Sequence, residues 1–179
     1  MVVLTIKEKQ MNLKIVKCPD KDFKPYIISA VEFYGEHLIP SKRLRDNINI
    51  VIKFNSKLNY WGLAYIDEMD LRPNRPREFI IEIHPWLGAA LILKTLAHEM
   101  VHIKQYARCE INDSLSKWKG QRIDSDNLDY YSHPWEMEAY SLEVGLFTKY
   151  ATNEKLWEVF ADVSNPDAEI EKKEIKWKK

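Results

Sequence analysis

The chain has 179 residues, of which 45% are hydrophobic and 30% charged, and its 27 basic and 27 acidic residues give a formal net charge of zero. This length suffices for one domain with its own core and is short for two. The composition is that of an ordinary globular protein and not of a disordered or membrane one. A net charge of zero gives no overall electrostatic reason to expect a nucleic-acid or membrane partner.

The cysteines and the two ends of the chain predict the compartment and the domain limits. Cys18 and Cys109 are too far apart for a metal-binding pair, and two reduced thiols in a cytoplasmic protein are expected. Residues 1–10 lack the apolar stretch of a signal peptide. We predict one domain over residues 1–165, in which 1–10 are an extension, followed by a charged, mobile tail at 166–179.

The N-terminal half predicts four strands and one helix. Runs rich in β-branched and aromatic residues, bounded by turn residues, predict strands, and apolar residues at helical spacing predict a helix. The predicted strands cover residues 12–17, 48–54, 60–66 and 78–84, and the predicted helix covers residues 24–38. Gly62 lies within the third strand, where a glycine can mark a bulge.

The C-terminal half predicts helices. A long apolar pattern without proline predicts a helix over 88–108. Residues 109–133 are polar and predict a long connection with short pieces of helix, of the kind that often carries function. Pro134 fits the first turn of a further helix over 134–150, and a short helix is expected over 153–162.

The chemistry-bearing pattern is His98-Glu99-Met100-Val101-His102, inside the predicted helix 88–108. Residues four apart lie on one face of a helix, so both imidazoles can reach one metal ion. Glu99 lies about 100° further around the helix. Its carboxylate is therefore beside the metal without being a ligand, where it can act as a base toward a metal-bound water.

A catalytic zinc ion usually takes three protein ligands and leaves one position for water. The third ligand must come from another element, and the richest candidate segment is Pro134 to Tyr140, at the start of the last long helix. Glu136 and Glu138 point about 200° apart on a helix, so only one of them can face the metal.

This arrangement resembles the gluzincin branch of the zincin metallopeptidases, in which a glutamate on a second helix follows the HExxH motif. In that branch a small residue commonly stands three positions after the glutamate, as Ala139 does here, so the resemblance assigns the ligand to Glu136. The branch often has Asp or Asn four positions after the ligand, where this chain has Tyr140. Glu143 is then the residue predicted to accept a hydrogen bond from a metal-bound histidine.

Segments 98–143 also resemble small phage and bacterial SprT-like metallopeptidases, through His98–His102, Trp118-Lys119-Gly120 and Pro134–Ala139. The resemblance implies a compact α+β zincin-like domain, with a small mixed sheet packed on an active-site helix and a second ligand-bearing helix. It implies the cytoplasm of a bacterial or phage-infected cell. SprT proteins use a third histidine, which makes His133 an alternative ligand.

The mechanism implied is hydrolysis of a peptide bond with Zn²⁺ as cofactor and Glu99 as general base. A further hydrogen-bond donor is needed for the tetrahedral intermediate. His133 and Tyr140 are predicted for this role, and Tyr130 and Tyr131 are further candidates.

The substrate is expected to be a protein or peptide that adds as a strand to a sheet edge. By resemblance the predicted edge strand is Phe79–His84, because it directly precedes the active-site helix. Arg72, Arg75 and Arg77, with the lysines of the tail, give weak support for a DNA partner. A membrane partner is not expected.

Three alternatives remain open at the level of sequence. A regulatory protease of the ImmA/IrrE type and a DNA-associated SprT-like protease would use the same chemistry. A non-catalytic, zinc-stabilised binding module belongs to another class. An open fourth position and Glu99 disfavour the binding module, because structural zinc sites are usually closed by four ligands.

Overall fold

A small mixed sheet and a set of helices make up the computed structural model, which describes residues 11–72 and 74–156. The sheet strands are β1 (Asn12–Val16), β2 (Asn49–Phe54), β3 (Gly62–Ile66) and β4 (Glu78–Ile83). The α-helices are α1 (Lys24–Leu38), α2 (Lys42–Arg45), α3 (Ala89–Ala107) and α4 (Pro134–Asn153). A two-stranded hairpin, β5 (Lys117–Trp118) and β6 (Gln121–Arg122), and two 3-10 turns, Ser125–Asn127 and Tyr130–Ser132, lie between α3 and α4. The α+β class is therefore confirmed.

The sheet has the strand order β1-β2-β4-β3. β1 and β4 both run parallel to β2, whereas β3 runs antiparallel to β4. The prediction that residues 79–84 form the sheet edge was wrong: β4 is an interior strand, and it is buried on both faces. The edge strand next to β4 is β3, which pairs with β4 in the antiparallel direction.

Helix α3 is the central element of the domain. It packs against β3 and β4 of the sheet and against α1 and α4. From Ile92 to Ala107 every residue except Lys94 is buried. A histidine or glutamate within this helix is therefore enclosed by protein, which is why the polar residues of the HExxH pattern stand out.

The predicted helices agree closely with the structure. α1 has the predicted bounds, α3 is within one residue of them, and α4 continues to Asn153. The short helix α2 was not predicted. The helix expected over 153–162 lies largely outside the described residues, as do the extension 1–10 and the tail 166–179.

The connection 109–133 contains a hairpin in addition to the expected short helical pieces. Lys119 and Gly120 form its turn, with positive φ at Lys119 (46°) and Gly120 (85°), and Trp118 pairs with Gln121 in the hairpin. Gly62 forms no bulge, since β3 pairs with β4 in continuous register. No helix within residues 11–72 and 74–156 has the length and apolar character needed to cross a membrane.

Candidate metal centre and cleft

The two histidines of the HExxH pattern lie one turn apart on α3 with their rings side by side. Their Nε2 atoms are 3.2 Å apart. Both side chains are buried. The helical spacing therefore produces the expected pair of nitrogen atoms facing a common point.

Glu136, in the first turn of α4, brings a carboxylate to the same point. Its Oε2 lies 3.2 Å from Nε2 of His98, and its Oε1 lies 3.5 Å from Nε2 of His102. Among the described residues these three side chains form the one group with the donor types and spacing for a metal ion. In a tetrahedral zinc site with bonds of about 2.0–2.1 Å, neighbouring ligand atoms stand about 3.3 Å apart, so the residues present fit such an ion.

The outer nitrogen of His98 is held from α4. Its Nδ1 lies 2.8 Å from Oε2 of Glu143, and Lys94 approaches the other oxygen of Glu143 at 3.2 Å. The predicted pairing of a histidine with Glu143 is confirmed. A carboxylate on Nδ1 favours the tautomer in which Nδ1 carries the proton and Nε2 offers a lone pair.

The outer nitrogen of His102 is held from its own helix. Its Nδ1 lies 2.8 Å from Oε1 of Gln105, whose side chain is fully buried. Sequence reasoning missed this residue. The available signal was its position one turn after His102, but a glutamine at that spacing is not distinctive.

The electrostatics at the site follow from its buried charges. Burial lowers the pKa of His98, but the hydrogen bonds with Glu136 and Glu143 outweigh it and raise the pKa to about 10. Burial raises the pKa of Glu136, and its bonds to His102 and His98 reverse this and hold it well below its ordinary value. The carboxylate is thus anionic, and protons and a metal cation compete for the same nitrogen atoms.

Glu99 is buried between α3 and the edge strand β3. It accepts a hydrogen bond from the backbone N–H of Ala64, and burial raises its pKa. A Cβ atom on Gly62 would stand 2.7 Å from Oε1 of Glu99 and 2.6 Å from Cγ2 of Thr95. A Cβ atom at residue 62 would therefore force β3, Glu99 or Thr95 to shift from these positions.

A cleft of about 270 Å³ opens beside His98 and Glu99. Its walls come from β3 and the residues before it, from α3, from α4 and from the 3-10 turn at residues 130–132. Most of the lining is aromatic or apolar, and it includes Tyr60, Trp61, Leu91, Tyr130, Tyr131 and Tyr140. The candidate metal group and Glu99 therefore border a space that a substrate can enter.

Tyrosine side chains cover the metal-facing end of the cleft. The Tyr140 ring centroid lies 4.7 Å from that of His98. Tyr130 makes hydrogen bonds to Glu136 and Tyr140. Burial raises the pKa of Tyr140 to about 12 and that of Tyr130 further, so both hydroxyls are protonated donors at neutral pH.

Two sequence candidates lie elsewhere. His133 precedes α4, with its Nε2 3.1 Å from the carbonyl of Ser125 and its ring stacked on Trp135. Glu138 points away from the candidate metal group and contacts Lys104 at 2.8 Å. The structure thus places Glu136, and neither His133 nor Glu138, with the two histidines; a catalytic role for His133 stays a prediction that its position does not support.

The arginine cluster at 72–77 has local structural contacts. Arg72 pairs with Asp70 at 2.9 Å and with Glu78 at 2.8 Å. Arg77 donates to the carbonyl of Ala107 at the end of α3. These contacts tie the connection to its neighbours, and a DNA partner stays a prediction.

Comparisons of the chain with protein-family models, with curated proteins and with solved structures find no match.

Proposed function

We propose that this protein is a zinc-dependent metallopeptidase with a zincin-like site. The observation that carries the proposal is the buried group of His98, His102 and Glu136 with Glu99 beside it at the wall of an open cleft. Metal-assisted hydrolysis needs a metal-ligand group, a carboxylate outside the ligand set and room for the substrate. The gluzincin-like and SprT-like patterns of the sequence support the same proposal.

The ligand set favours zinc and a catalytic site. Two imidazole nitrogens and one carboxylate oxygen form a ligand set typical of catalytic zinc. A structural zinc site normally has four protein ligands, and the group found among the described residues has three. A non-catalytic zinc-stabilised module is the weaker proposal for this reason, and also because it leaves the buried Glu99 without a role.

The chain's own residues have separable roles in the proposed reaction. Zinc, when bound, polarises the scissile carbonyl and acidifies a water molecule. Glu99 takes a proton from the attacking water and passes it to the leaving amine. Tyr140, protonated and lining the cleft, is the donor for the negative charge that develops on the carbonyl oxygen, whereas the proton of Tyr130 is engaged by Glu136.

The edge strand β3 is the proposed docking site for an extended peptide. Trp61 O accepts from His84 N–H at 2.9 Å, and Asp67 N–H donates to Glu78 O at 2.9 Å. Because residues of an antiparallel ladder alternate in direction, the N–H and C=O groups of Gly62, Ala64 and Ile66 face away from β4. The N–H of Ala64 is donated to Glu99, so the other groups of this edge are the ones offered to a peptide. A peptide added along this edge lies beside Glu99.

The cleft lining indicates the kind of side chain that the peptide presents. Burial of an apolar side chain against aromatic and apolar walls is favourable by roughly 25 cal/mol per Å² of apolar surface removed from water. We therefore propose peptides with a large apolar residue next to the cleaved bond. The regulatory and DNA-associated variants of this function share the chemistry and differ only in partner.

The test is hydrolysis of a mixture of unstructured peptides, followed by mass spectrometry. The zinc-loaded protein is expected to cleave beside large apolar residues, to lose cleavage when a chelator removes the metal and to regain it when zinc is restored. Addition of double-stranded DNA distinguishes the DNA-associated variant, since only that variant is stimulated. Cleavage that survives complete metal removal, or none from a fully zinc-loaded protein on any peptide, would refute the proposal.

A further inference from the structure

A buried polar network lies behind the candidate metal group, on the side away from the cleft. Its centre is Gln105, whose Oε1 faces Nδ1 of His102 at 2.8 Å. The amide nitrogen of Gln105 contacts the carbonyl of Trp135 and Oε2 of Glu138, each at 2.9 Å. Gln105 therefore connects a residue of the metal group to the first turn of α4.

The contacts of Gln105 determine which way its amide points. A carbonyl and a carboxylate are acceptors only, so the NH₂ group must face Trp135 and Glu138. The amide oxygen then faces His102 and can only accept a hydrogen bond. His102 must therefore carry a proton on Nδ1, and in the neutral imidazole the lone pair of Nε2 is then directed at Glu136 and His98.

Glu138 is itself held from two sides. Lys104 on α3 lies 2.8 Å from its Oε2, and Lys119 lies 3.0 Å from its Oε1. Lys119 belongs to the β5–β6 turn, at the position with φ 46°. Both carboxylate oxygens thus have cationic partners, and the orientation of the carboxylate toward Gln105 is fixed.

We propose that Glu138 is a positioning residue for the metal site, acting through Gln105 to hold His102 in its metal-binding tautomer. This inference rests on the zinc site of the proposed function and assigns a role to the glutamate that is not a ligand. Outer contacts of metal-bound histidines commonly change metal affinity by about 10- to 100-fold when they are removed. The β5–β6 hairpin then contributes to the site through Lys119.

If Glu138 only stabilises the fold by pairing with Lys104, loss of another carboxylate partner of Lys104 should weaken zinc binding equally. The other partner is Glu110, which provides the control. Lys104 pairs with Glu110 at 2.6 Å as well as with Glu138. The side chain of Gln105 bonds to His102, Trp135 and Glu138, whereas the carboxylate of Glu110 pairs with Lys104 and Arg108. Glu110→Gln therefore removes one carboxylate partner of Lys104 while leaving the amide of Gln105 held.

The experiment measures zinc dissociation constants against a competing chelator in a double-mutant cycle. We expect Glu138→Ala and Gln105→Leu each to weaken zinc binding by about 10- to 100-fold, and the double variant to be no weaker than Gln105→Leu alone. Glu138→Gln keeps an acceptor for Gln105 and is expected to bind zinc nearly as the wild type does. Glu110→Gln is expected to do the same.

The outcomes separate this inference from the proposed function. Additive losses in the double variant, or an equal loss in Glu110→Gln, would overturn the role of Glu138 and leave a zinc peptidase standing. If the wild type binds zinc tightly and the variants show the expected non-additive losses, but no peptide is hydrolysed, the role of Glu138 is upheld and the peptidase function is refuted. A wild-type chain that takes up no zinc would overturn both. Thermal unfolding in the presence of chelator identifies any variant whose loss comes from a disrupted fold.

Discussion

Nδ1 of His98 on α3 lies 2.8 Å from Oε2 of Glu143 on α4, although the two residues are 45 positions apart in the sequence. Together with Gln105 on the outer nitrogen of His102, this contact turns both Nε2 atoms toward Glu136. Once a metal ion displaces the protons, two imidazole lone pairs and a carboxylate converge on one point. Such a group is satisfied by a cation, and this is the physical basis of the account.

Glu136 and Glu138 are predicted to differ sharply in metal binding, although both follow Pro134 on the same helical turn. Glu136→Gln removes a charged ligand and is expected to weaken zinc binding by more than the roughly 10- to 100-fold seen for outer contacts. Glu138→Gln is the matched control and is expected to retain zinc. Atomic emission analysis after gentle purification, with chelator competition, measures both. Retention of zinc by Glu136→Gln with loss in Glu138→Gln would reverse the ligand assignment.

Tyr140 is predicted to contribute a donor to the reaction. Tyr140→Phe keeps the ring against His98 and removes only the hydroxyl, so kcat is expected to fall by about 100-fold, the size of a lost transition-state hydrogen bond. Zinc content is expected to stay unchanged. His133→Gln is the comparison, because His133 contacts Ser125 and Trp135, and it is expected to leave kcat near the wild-type value. If His133→Gln lowers kcat and Tyr140→Phe does not, the donor has been placed on the wrong residue.

Gly62 is predicted to be essential for the position of Glu99. Gly62→Ala adds a Cβ atom 2.7 Å from the carboxylate, and β3 or Glu99 must move. A displacement of about 1 Å at a reacting group can cost about 100-fold in rate, so kcat/KM is expected to fall while zinc stays bound.

Gly145→Ala is the control for this substitution. Gly145 lies on α4 with open space around the position of an added Cβ, and alanine there is expected to stabilise the helix by about 0.5–1 kcal/mol with no loss of activity. Equal activity of the two variants would show that the close approach of β3 is unimportant.

Asp70 is predicted to make the connection between β3 and β4 sensitive to acid. Its side chain is 1% exposed and accepts hydrogen bonds from Arg72 and from the backbone N–H groups of Arg77 and Glu78. Burial raises its pKa, but these bonds outweigh burial and hold the pKa well below its ordinary value of 3.8.

A carboxyl with a lowered folded-state pKa stabilises the fold fully above its unfolded-state pKa, and the stabilisation is lost as the pH falls through the folded value. Asp70→Asn is therefore expected to lower the free energy of unfolding at pH 7 by about 2 kcal/mol. The difference from the wild type is expected to shrink below about pH 4. Denaturant unfolding at several pH values measures it, and a difference that grows toward low pH would contradict this explanation.

Local patterns made much of the site predictable. Helical spacing placed His98 and His102 on one face. The first turn of a proline-initiated helix placed Glu136 for them, and Glu143 follows two turns later on the same helix. The HExxH segment lies in a buried helix, so its polar residues are conspicuous.

Long-range arrangement could not be predicted in the same way. β4 directly precedes α3 in the chain, but β3 pairs with β4 on its outer side and is therefore the edge strand. No local sequence pattern predicts that pairing. Gln105 acts through a buried amide whose partners come from another helix. Such contacts depend on how α3 and α4 pack, and the spacing of residues along either helix does not specify it.

The most direct test of the central claim compares wild type with Glu99→Gln, both loaded with one zinc ion per chain, on the same peptide mixture. Glu99 is beside the metal group and outside it, so the variant is expected to keep zinc and to lose turnover by about 100- to 10,000-fold, the contribution of a positioned general base. Full turnover by zinc-loaded Glu99→Gln would contradict the proposed peptidase mechanism.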